Sequence, residues 1–180
     1  MALIAGIEMS PKTKPLPVTM FKTVSLPVNL TRGKLYLCSM PGRFAALAIF
    51  LQEIAEAEIG HILCLVSDQE IAKKSPDYLA AIQQNEIPAK LWRYDVPDYG
   101  FPEESEDLKQ TVDGIRERLD GGESVIIHCA AGHGRTGMIS ILLLTRMGLP
   151  LEVATQTIHL AGSAPDTQAQ WDYLERHARP

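Results

Sequence analysis

One stretch, residues 124–137, constrains the fold and the chemistry of this chain more than any other. It reads Ser-Val-Ile-Ile-His-Cys-Ala-Ala-Gly-His-Gly-Arg-Thr-Gly. The apolar run Val125–Ile127 predicts a buried strand, and the apolar residues 138–144 predict a buried helix after a glycine-containing loop. In such a loop the backbone N–H groups converge with the helix N-terminus on one point. The sequence therefore predicts an anion-binding loop between a strand and a helix.

A nucleophile and a fixed cation lie inside this loop, Cys129 and Arg135, with five residues between them. A cysteine at the end of a buried strand is most often a core residue, but a helix N-terminus and a neighbouring arginine stabilise its reactive thiolate form. The arginine offers a planar, two-pronged donor face that matches two phosphoryl oxygens. The intervening residues, predicted to contact the bound phosphate, are Ala130, Ala131, Gly132, His133 and Gly134. The whole pattern favours phosphoryl transfer to Cys129 over a structural role for this cysteine.

Phosphoryl transfer also requires a proton for the leaving oxygen, and a carboxylic acid on a separate loop could supply it. The loop 95–102 contains two prolines, a glycine and two aspartates, Asp95 and Asp98. Aspartate is common in turns for purely conformational reasons. The residues alone therefore leave both aspartates open as the proton donor.

Strand-like and helix-like patterns alternate along the chain, which is typical of an α/β fold. We expect a central, mainly parallel sheet of four to five strands with helices on both faces, and the phosphate-binding loop between the last core strand and a buried helix. We also expect Gly60 to end the first helix. The predicted strands are 34–38, 61–66, 90–94 and 125–128. The predicted helices are 44–58, two short helices within 67–86, 108–119, 138–144, 150–161 and 166–176.

Length, charge and cysteine content bound the class of protein. At 180 residues the chain predicts one catalytic domain, 21–180, after a proline-containing irregular arm, 1–20. A formal net charge of -5 argues against general nucleic-acid binding, so any attraction for an anionic substrate must be local. No apolar run approaches the roughly 18 residues of a membrane span. Three scattered cysteines predict no disulfide framework and favour a reducing, cytoplasmic location, and no histidine grouping predicts a metal site.

The segment His128-Cys-Ala-Ala-Gly-His-Gly-Arg-Thr-Gly137 resembles the signature loop of the cysteine-dependent protein tyrosine and dual-specificity phosphatases. Three further segments resemble the cyclin-dependent kinase-associated phosphatase branch in order and spacing: residues 37–42, Pro97-Asp98 and residues 170–174. The resemblance covers roughly residues 30–176.

The resemblance implies a role for each matching residue. Cys129 would form a phosphocysteine intermediate while Arg135 and the loop amides hold the phosphoryl oxygens. Thr136 would donate a hydrogen bond to the sulfur, and His128 would orient the loop. The family places its acidic residue directly after a proline, which favours Asp98 over Asp95. No cofactor and no metal are implied.

Two departures from the family pattern matter for the second half of the reaction and for the substrate. Where tyrosine-phosphatase relatives place a water-positioning glutamine before a threonine, this chain has Asp166-Thr167, and Gln170 is the nearest supporting glutamine. His133 stands where phosphoinositide-directed relatives tend to carry lysine, and it either contacts the substrate or is a solvated loop residue.

The sequence thus predicts a phosphatase of phosphorylated protein or peptide substrates, with tyrosine or dual specificity. One alternative is a phosphatase of inositol phosphates or phosphoinositides, which the absence of the loop lysine disfavours. The alternative from another class is a non-catalytic phosphate-binding module, which the presence of Cys129, Arg135 and Asp98 disfavours.

Overall fold

The computed structural model describes residues 19–178, and these form an α/β domain of five strands and seven helices. The strands are β1 (Lys22–Thr23), β2 (Lys34–Cys38), β3 (Ile59–Cys64), β4 (Lys90–Arg93) and β5 (Ser124–His128). The helices are α1 (Leu47–Glu56), α2 (Asp68–Lys74), α3 (Pro76–Gln83), α4 (Glu106–Asp120), α5 (Gly134–Arg146), α6 (Leu151–Leu160) and α7 (Gln168–His177). Of the predicted arm 1–20, residues 1–18 lie outside the described part of the chain.

The strands form one sheet in the order β1-β2-β5-β3-β4, in which only the β1–β2 pair is antiparallel. This arrangement confirms the predicted α/β fold with its mainly parallel sheet. Cys38 at the end of β2 and Cys64 at the end of β3 both lie opposite His128 at the end of β5. Because parallel strands end at the same edge, the loops that follow β2, β3, β4 and β5 meet there, where ligands of open α/β sheets bind.

Helices cover both faces of the sheet, as predicted. On β5, Val125 and Ile127 point into the larger core, which includes residues of α4, α5, α6 and α7. Ile126 points the opposite way, into a smaller core with Phe50 and Ile54 of α1. All three β5 side chains are fully buried, as expected for a parallel strand between two helical layers.

Helix α5 is the buried helix of the domain, which confirms that prediction. Every residue from Gly134 to Thr145 is buried, because α5 packs against β5, α4, α6 and α7. A helix surrounded on all sides holds its first turn, and therefore the loop before it, in a fixed position. Among the described residues, no helix combines the length and the apolar character needed to cross a membrane.

Besides shifts of one to four residues in the bounds of several elements, two details differ from the sequence-based expectation. The prediction that Gly60 ends the first helix is wrong: α1 ends at Glu56, Glu58 adopts a left-handed backbone with φ 51°, and Gly60 lies within β3. The left-handed turn at Glu58 therefore has the position after the helix that was predicted for Gly60. Strand β1 was not predicted, since two residues are too few to show an alternating pattern, and its pairing with β2 comes from tertiary contact.

Candidate active site

The loop between β5 and α5 has a backbone that one of its glycines makes possible. Gly132 has φ +76°, and a Cβ added there would lie 2.6 Å from the carbonyl oxygen of Cys38. A side chain at this position would therefore meet both an unfavourable backbone conformation and a backbone atom of β2. The loop is packed directly against the end of the neighbouring strand, and this packing fixes the path of residues 129–133.

Cys129 lies at the start of this loop, and the residue as a whole is 3% exposed. Burial by itself would raise the pKa of the Cys129 thiol, but the hydroxyl and amide of Thr136, the charge of Arg135 and the amide of Ala131 together lower it below its usual range. The Thr136 hydroxyl is buried and has no hydrogen-bond partner among residues 19–178, so its proton is available to the thiolate. The site therefore favours the thiolate.

His128 is fully buried and fixes the backbone beside the cysteine. Burial lowers the pKa of His128 to about 4, so the ring is neutral near pH 7. Its Nδ1 lies 3.1 Å from the carbonyl oxygen of Cys129, and its Nε2 lies 3.0 Å from the Tyr78 hydroxyl. A single tautomer satisfies both contacts: Nδ1–H donates to the carbonyl and Nε2 accepts from the tyrosine. This geometry fits the predicted role of orienting the loop.

Arg135 is held by a carboxylate that the sequence analysis did not identify. Glu70 of α2 accepts two hydrogen bonds from its guanidinium, 2.7 Å from Nη1 and 2.9 Å from Nη2, and the Val96 carbonyl oxygen accepts a third at 3.2 Å from Nη1. The hydrogen bonds from Arg135, together with one from Lys74, hold the pKa of Glu70 at about 2 despite its partial burial. This two-pronged pair sets the plane of the guanidinium.

Of the two candidate acids, only Asp98 lies at the cysteine. Its Oδ1 is 3.0 Å from Arg135 Nη2 and its Oδ2 is 3.7 Å from Lys74 Nζ, while about half of its side chain is exposed. Asp95 is exposed and lies in a separate depression beside Asp68 and Arg93. The structure therefore brings Asp98, and not Asp95, to the nucleophile.

The turn before α7 brings a further carboxylate to the loop. Asp166 Oδ2 accepts a hydrogen bond from the Gly134 amide at 3.0 Å. Gln170 is fully buried; its Oε1 accepts from the Asp166 amide at 2.8 Å and its Nε2 donates to the Gly100 carbonyl at 2.7 Å. Gln170 thus supports the turn and the acid loop, while Asp166 itself faces the pocket.

These groups surround a small pocket of about 110 Å³. Its lining residues are Arg43, Lys74, Asp98, Tyr99, Cys129, Ala130, Ala131, Gly134, Arg135 and Asp166. Of the predicted phosphate-contacting residues, Gly132 and His133 are not part of this lining, and the His133 side chain is exposed. The remaining predicted site residues, Thr136, His128 and Gln170, stand behind the pocket wall.

The residues that sequence analysis missed come from other loops at the same sheet edge. Arg43 follows β2, Glu70 and Lys74 lie on α2 after β3, and Asp166 precedes α7. For Asp166 the signal was its place before Thr167, where tyrosine-phosphatase relatives carry glutamine, and for Glu70 it was the Ser67-x-x-Glu70 pattern, which is typical of a helix start. The Ser67 hydroxyl does cap α2 by accepting from the Glu70 amide. Because this helix-capping pattern already accounts for a glutamate at position 70, the sequence does not indicate that Glu70 contacts Arg135.

The other two cysteines behave as core residues. Cys38 and Cys64 are buried and free of disulfides. Burial, with the neighbouring Cys129, raises the pKa of Cys38 well above its usual range, and burial raises the pKa of Cys64 to about 11. Both are therefore thiols near pH 7. Within residues 19–178, no group of three or more His, Cys, Asp or Glu side chains is placed to hold a metal ion.

Comparison with known proteins identifies the family and the fold of the chain. A family model described as "Swiss Army Knife protein, DSP-PTPase phosphatase domain" matches residues 32–177. The solved structure of Tk-PTP in its active form is 25% identical with a TM-score of 0.68, and the match covers 88% of this chain and 96% of that one. A structure of kinase associated phosphatase, with its catalytic cysteine replaced by serine, has a TM-score of 0.74 at 20% identity and covers 91% and 95% of the two chains.

One curated relative, the tyrosine-protein phosphatase non-receptor type 4 of Mus musculus, is 43% identical over 44 residues. That match covers 24% of this chain and only 5% of the relative. The chain therefore spans a small part of the length of this curated relative, whereas it is similar to the two solved structures over nearly their whole length.

Proposed function

Because the chain belongs to the DSP-PTPase phosphatase domain family, we propose that it hydrolyses phosphomonoesters on protein side chains through a phosphocysteine intermediate, with tyrosine or dual specificity. The observation that supports this most directly is one pocket holding Cys129 with its lowered thiol pKa, the buried guanidinium of Arg135 and the half-exposed carboxyl of Asp98. These are a nucleophile, an anion-binding group and a proton donor within reach of one phosphoryl group.

In the first half of the reaction, the Cys129 thiolate attacks phosphorus. A sulfur–phosphorus bond forms and the bond to the ester oxygen breaks, while Asp98, in its protonated form, gives a proton to the leaving oxygen. Arg135 and the amides of the loop hold the equatorial oxygens as negative charge spreads over them.

In the second half, a water molecule attacks phosphorus and the sulfur–phosphorus bond breaks. The Asp98 carboxylate takes the proton of the water, and inorganic phosphate is released. The Thr136 hydroxyl stabilises the departing thiolate, as it lowers the thiol pKa in the free protein. His128 stays neutral and holds the loop backbone in place throughout.

Local charge supplies the attraction for a phosphorylated substrate. The chain carries a net charge of -5, yet the pocket lining contains Arg43, Lys74 and Arg135. A cluster of cations around a small opening raises the local concentration of an anionic group even on an acidic protein. We further propose that residues 21–180 form the catalytic domain and that it acts in the cytoplasm, where the three free thiols would stay reduced.

A substrate panel tests the proposal. Phosphotyrosine, phosphoserine and phosphothreonine peptides are assayed beside inositol phosphates, using the natural chain, Cys129→Ser and Cys38→Ala. We expect phosphopeptide hydrolysis by the natural chain and by Cys38→Ala, whose altered residue lies outside the pocket lining, and none by Cys129→Ser. Hydrolysis that survives in Cys129→Ser would exclude the thiolate mechanism.

Two other results of the same panel would assign a different substrate, or would show that the protein is not an enzyme. Turnover confined to inositol phosphates would replace the protein substrate by the small-molecule alternative. Phosphopeptide binding without any turnover in the natural chain would indicate the non-catalytic binding module.

A further inference from the structure

The pocket contains a carboxylate where a phosphoryl oxygen is expected to bind. Gly134 is the first residue of α5, so its N–H has no partner within the helix and faces the pocket. Such a group at a helix N-terminus is a donor for a bound anion. Here Asp166 Oδ2 accepts from it at 3.0 Å. The chain's own anion already occupies one of the donors of the anion-binding loop.

This contact is held in place from both sides. On the Asp166 side, the backbone amide of Asp166 donates to the side-chain oxygen of buried Gln170, and the backbone amide of Gln170 donates to the Thr167 hydroxyl. These hydrogen bonds join the turn to the first turn of α7. On the Gly134 side, the missing side chain is essential, since a Cβ there would collide with the Asp166 carboxylate. The backbone of Asp166 is therefore fixed beside the loop, and its exposed carboxylate reaches the Gly134 amide because Gly134 has no Cβ.

The three cations at the pocket are matched by three carboxylates, Asp166 included. Lys74 and Arg135 both face Glu70 and Asp98, at distances of 2.6 to 3.7 Å. Arg43 also lines the pocket, and its guanidinium lies 4.5 Å from the centre of the Phe44 ring. A phosphoryl group that enters meets three cations, the carboxylates of Asp98 and Asp166 in the lining, and Glu70 behind Arg135. Like charges at this range repel even when partly solvated.

We propose that Asp166 sets the affinity of the active site for the phosphoryl group. Its carboxylate binds the Gly134 amide in place of a phosphoryl oxygen, and substrate phosphate and product phosphate must displace it. This inference rests on the proposed function, because it concerns the same pocket. Its consequence for the cycle is a weakly held product: inorganic phosphate leaves as the carboxylate returns to the amide. Asp166 is therefore a specificity-determining residue that disfavours highly charged ligands.

The test measures phosphate binding and not turnover. Inorganic phosphate is titrated into the natural chain, Asp166→Asn and Asp166→Ala by isothermal titration calorimetry at one pH and one ionic strength. Asn keeps an oxygen that can accept from Gly134 but removes the charge, and Ala frees the amide as well. Asp172→Asn is the matched control, because Asp172 lies one turn into α7, bonded to Gln168 and away from the pocket lining.

We expect phosphate to bind both Asp166 variants at least about fivefold more tightly, the effect of removing roughly 1 kcal/mol of repulsion, and to bind the control as it binds the natural chain. Thermal unfolding of each variant verifies that it is folded. Unchanged or weaker binding in folded Asp166→Asn, or phosphate binding to none of the proteins, would overturn the proposal. Tighter binding in a chain without phosphatase activity would support this inference while rejecting the proposed function, so the two are separable.

Discussion

At the scale of single residues, one hydroxyl has the largest part in making Cys129 reactive. Burial raises the pKa of the thiol, and the Thr136 side chain is the strongest of the groups that bring it down. We predict that Thr136→Ala raises the pKa of Cys129 and that Thr136→Ser, which keeps the hydroxyl, leaves it nearly unchanged. The pH dependence of inactivation by iodoacetamide measures this, since only the thiolate reacts.

Ser140 provides the control for that experiment. It lies one turn further along α5 and, like Thr136, has a buried hydroxyl without a hydrogen-bond partner among the described residues. Ser140→Ala removes the same kind of group from the same helix without touching the sulfur. Equal inactivation midpoints for Thr136→Ala and the natural chain would contradict the assignment of the hydroxyl to the thiolate.

The proton donor makes a second prediction at this scale. Asp98→Asn should lower kcat by about 10²- to 10⁴-fold with an alkyl phosphate, the usual range for losing a general acid. The loss should be smaller with an aryl phosphate whose leaving group needs little protonation. Asp95→Asn, altered three residues earlier and outside the pocket lining, should retain activity. The opposite ranking of the two variants would reassign the acid to Asp95.

At the scale of elements, the loop before α5 depends on its contact with β2. We predict that Gly132→Ala lowers the free energy of unfolding by about 2 kcal/mol or more and kcat/KM by at least about 100-fold, because its Cβ would strike the Cys38 carbonyl and shift the loop. Gly148→Ala is the control: its φ is +100°, but no atom lies within 4 Å of an added Cβ. Urea unfolding and steady-state kinetics of both variants provide the comparison.

Gly148→Ala should lose stability through backbone strain alone, about 1 kcal/mol, and keep its kcat/KM. If Gly132→Ala also lost only about 1 kcal/mol of stability and kept its kcat/KM, backbone conformation alone would explain why glycine occupies position 132. The close packing of the loop on β2 would then have no part in catalysis.

The elements also show why some features could be predicted and others could not. The strand 34–38 was predicted with its observed bounds and the strand 125–128 to within one residue of β5, because continuous apolar runs are a local signal. The loop residues Cys129 and Arg135 were predicted from their spacing within one short segment, which is also a local signal. Glu70 and Asp166 were not, since they lie 65 and 32 residues from the groups they contact and only the fold brings them there.

At the scale of the whole molecule, the parallel sheet assembles the site from distant segments. Arg135 is the point where they meet: Glu70 comes from α2, Val96 and Asp98 come from the loop after β4, and the guanidinium itself comes from α5. Strand order places β3 between β5 and β4, so the segments that follow these three strands converge at one edge. The ion pair of Glu70 with Arg135 therefore joins parts of the domain that are far apart in sequence.

This pair makes a pH-dependent prediction for the stability of the whole domain. The pKa of Glu70 is lowered from its ordinary 4.5 to about 2, chiefly by the hydrogen bonds from Arg135. A carboxyl with a depressed pKa stabilises the fold fully above its unfolded-state pKa of 4.5, and this contribution is lost as the pH falls from there towards 2. Glu70→Gln should thus cost about 2 kcal/mol of unfolding free energy at pH 7.

The difference in unfolding free energy between the natural chain and Glu70→Gln should be smaller at pH 3.5 than at pH 7 by roughly a third to a half. At pH 3.5 Glu70 is largely protonated in the unfolded chain. Urea unfolding at the two pH values measures it. Glu103→Gln is the control, since its carboxylate is exposed and makes no ion pair among residues 19–178, so it should differ little from the natural chain at either pH. A cost for Glu70→Gln that is the same at both pH values would show that Glu70 acts through packing and not through its charge on Arg135.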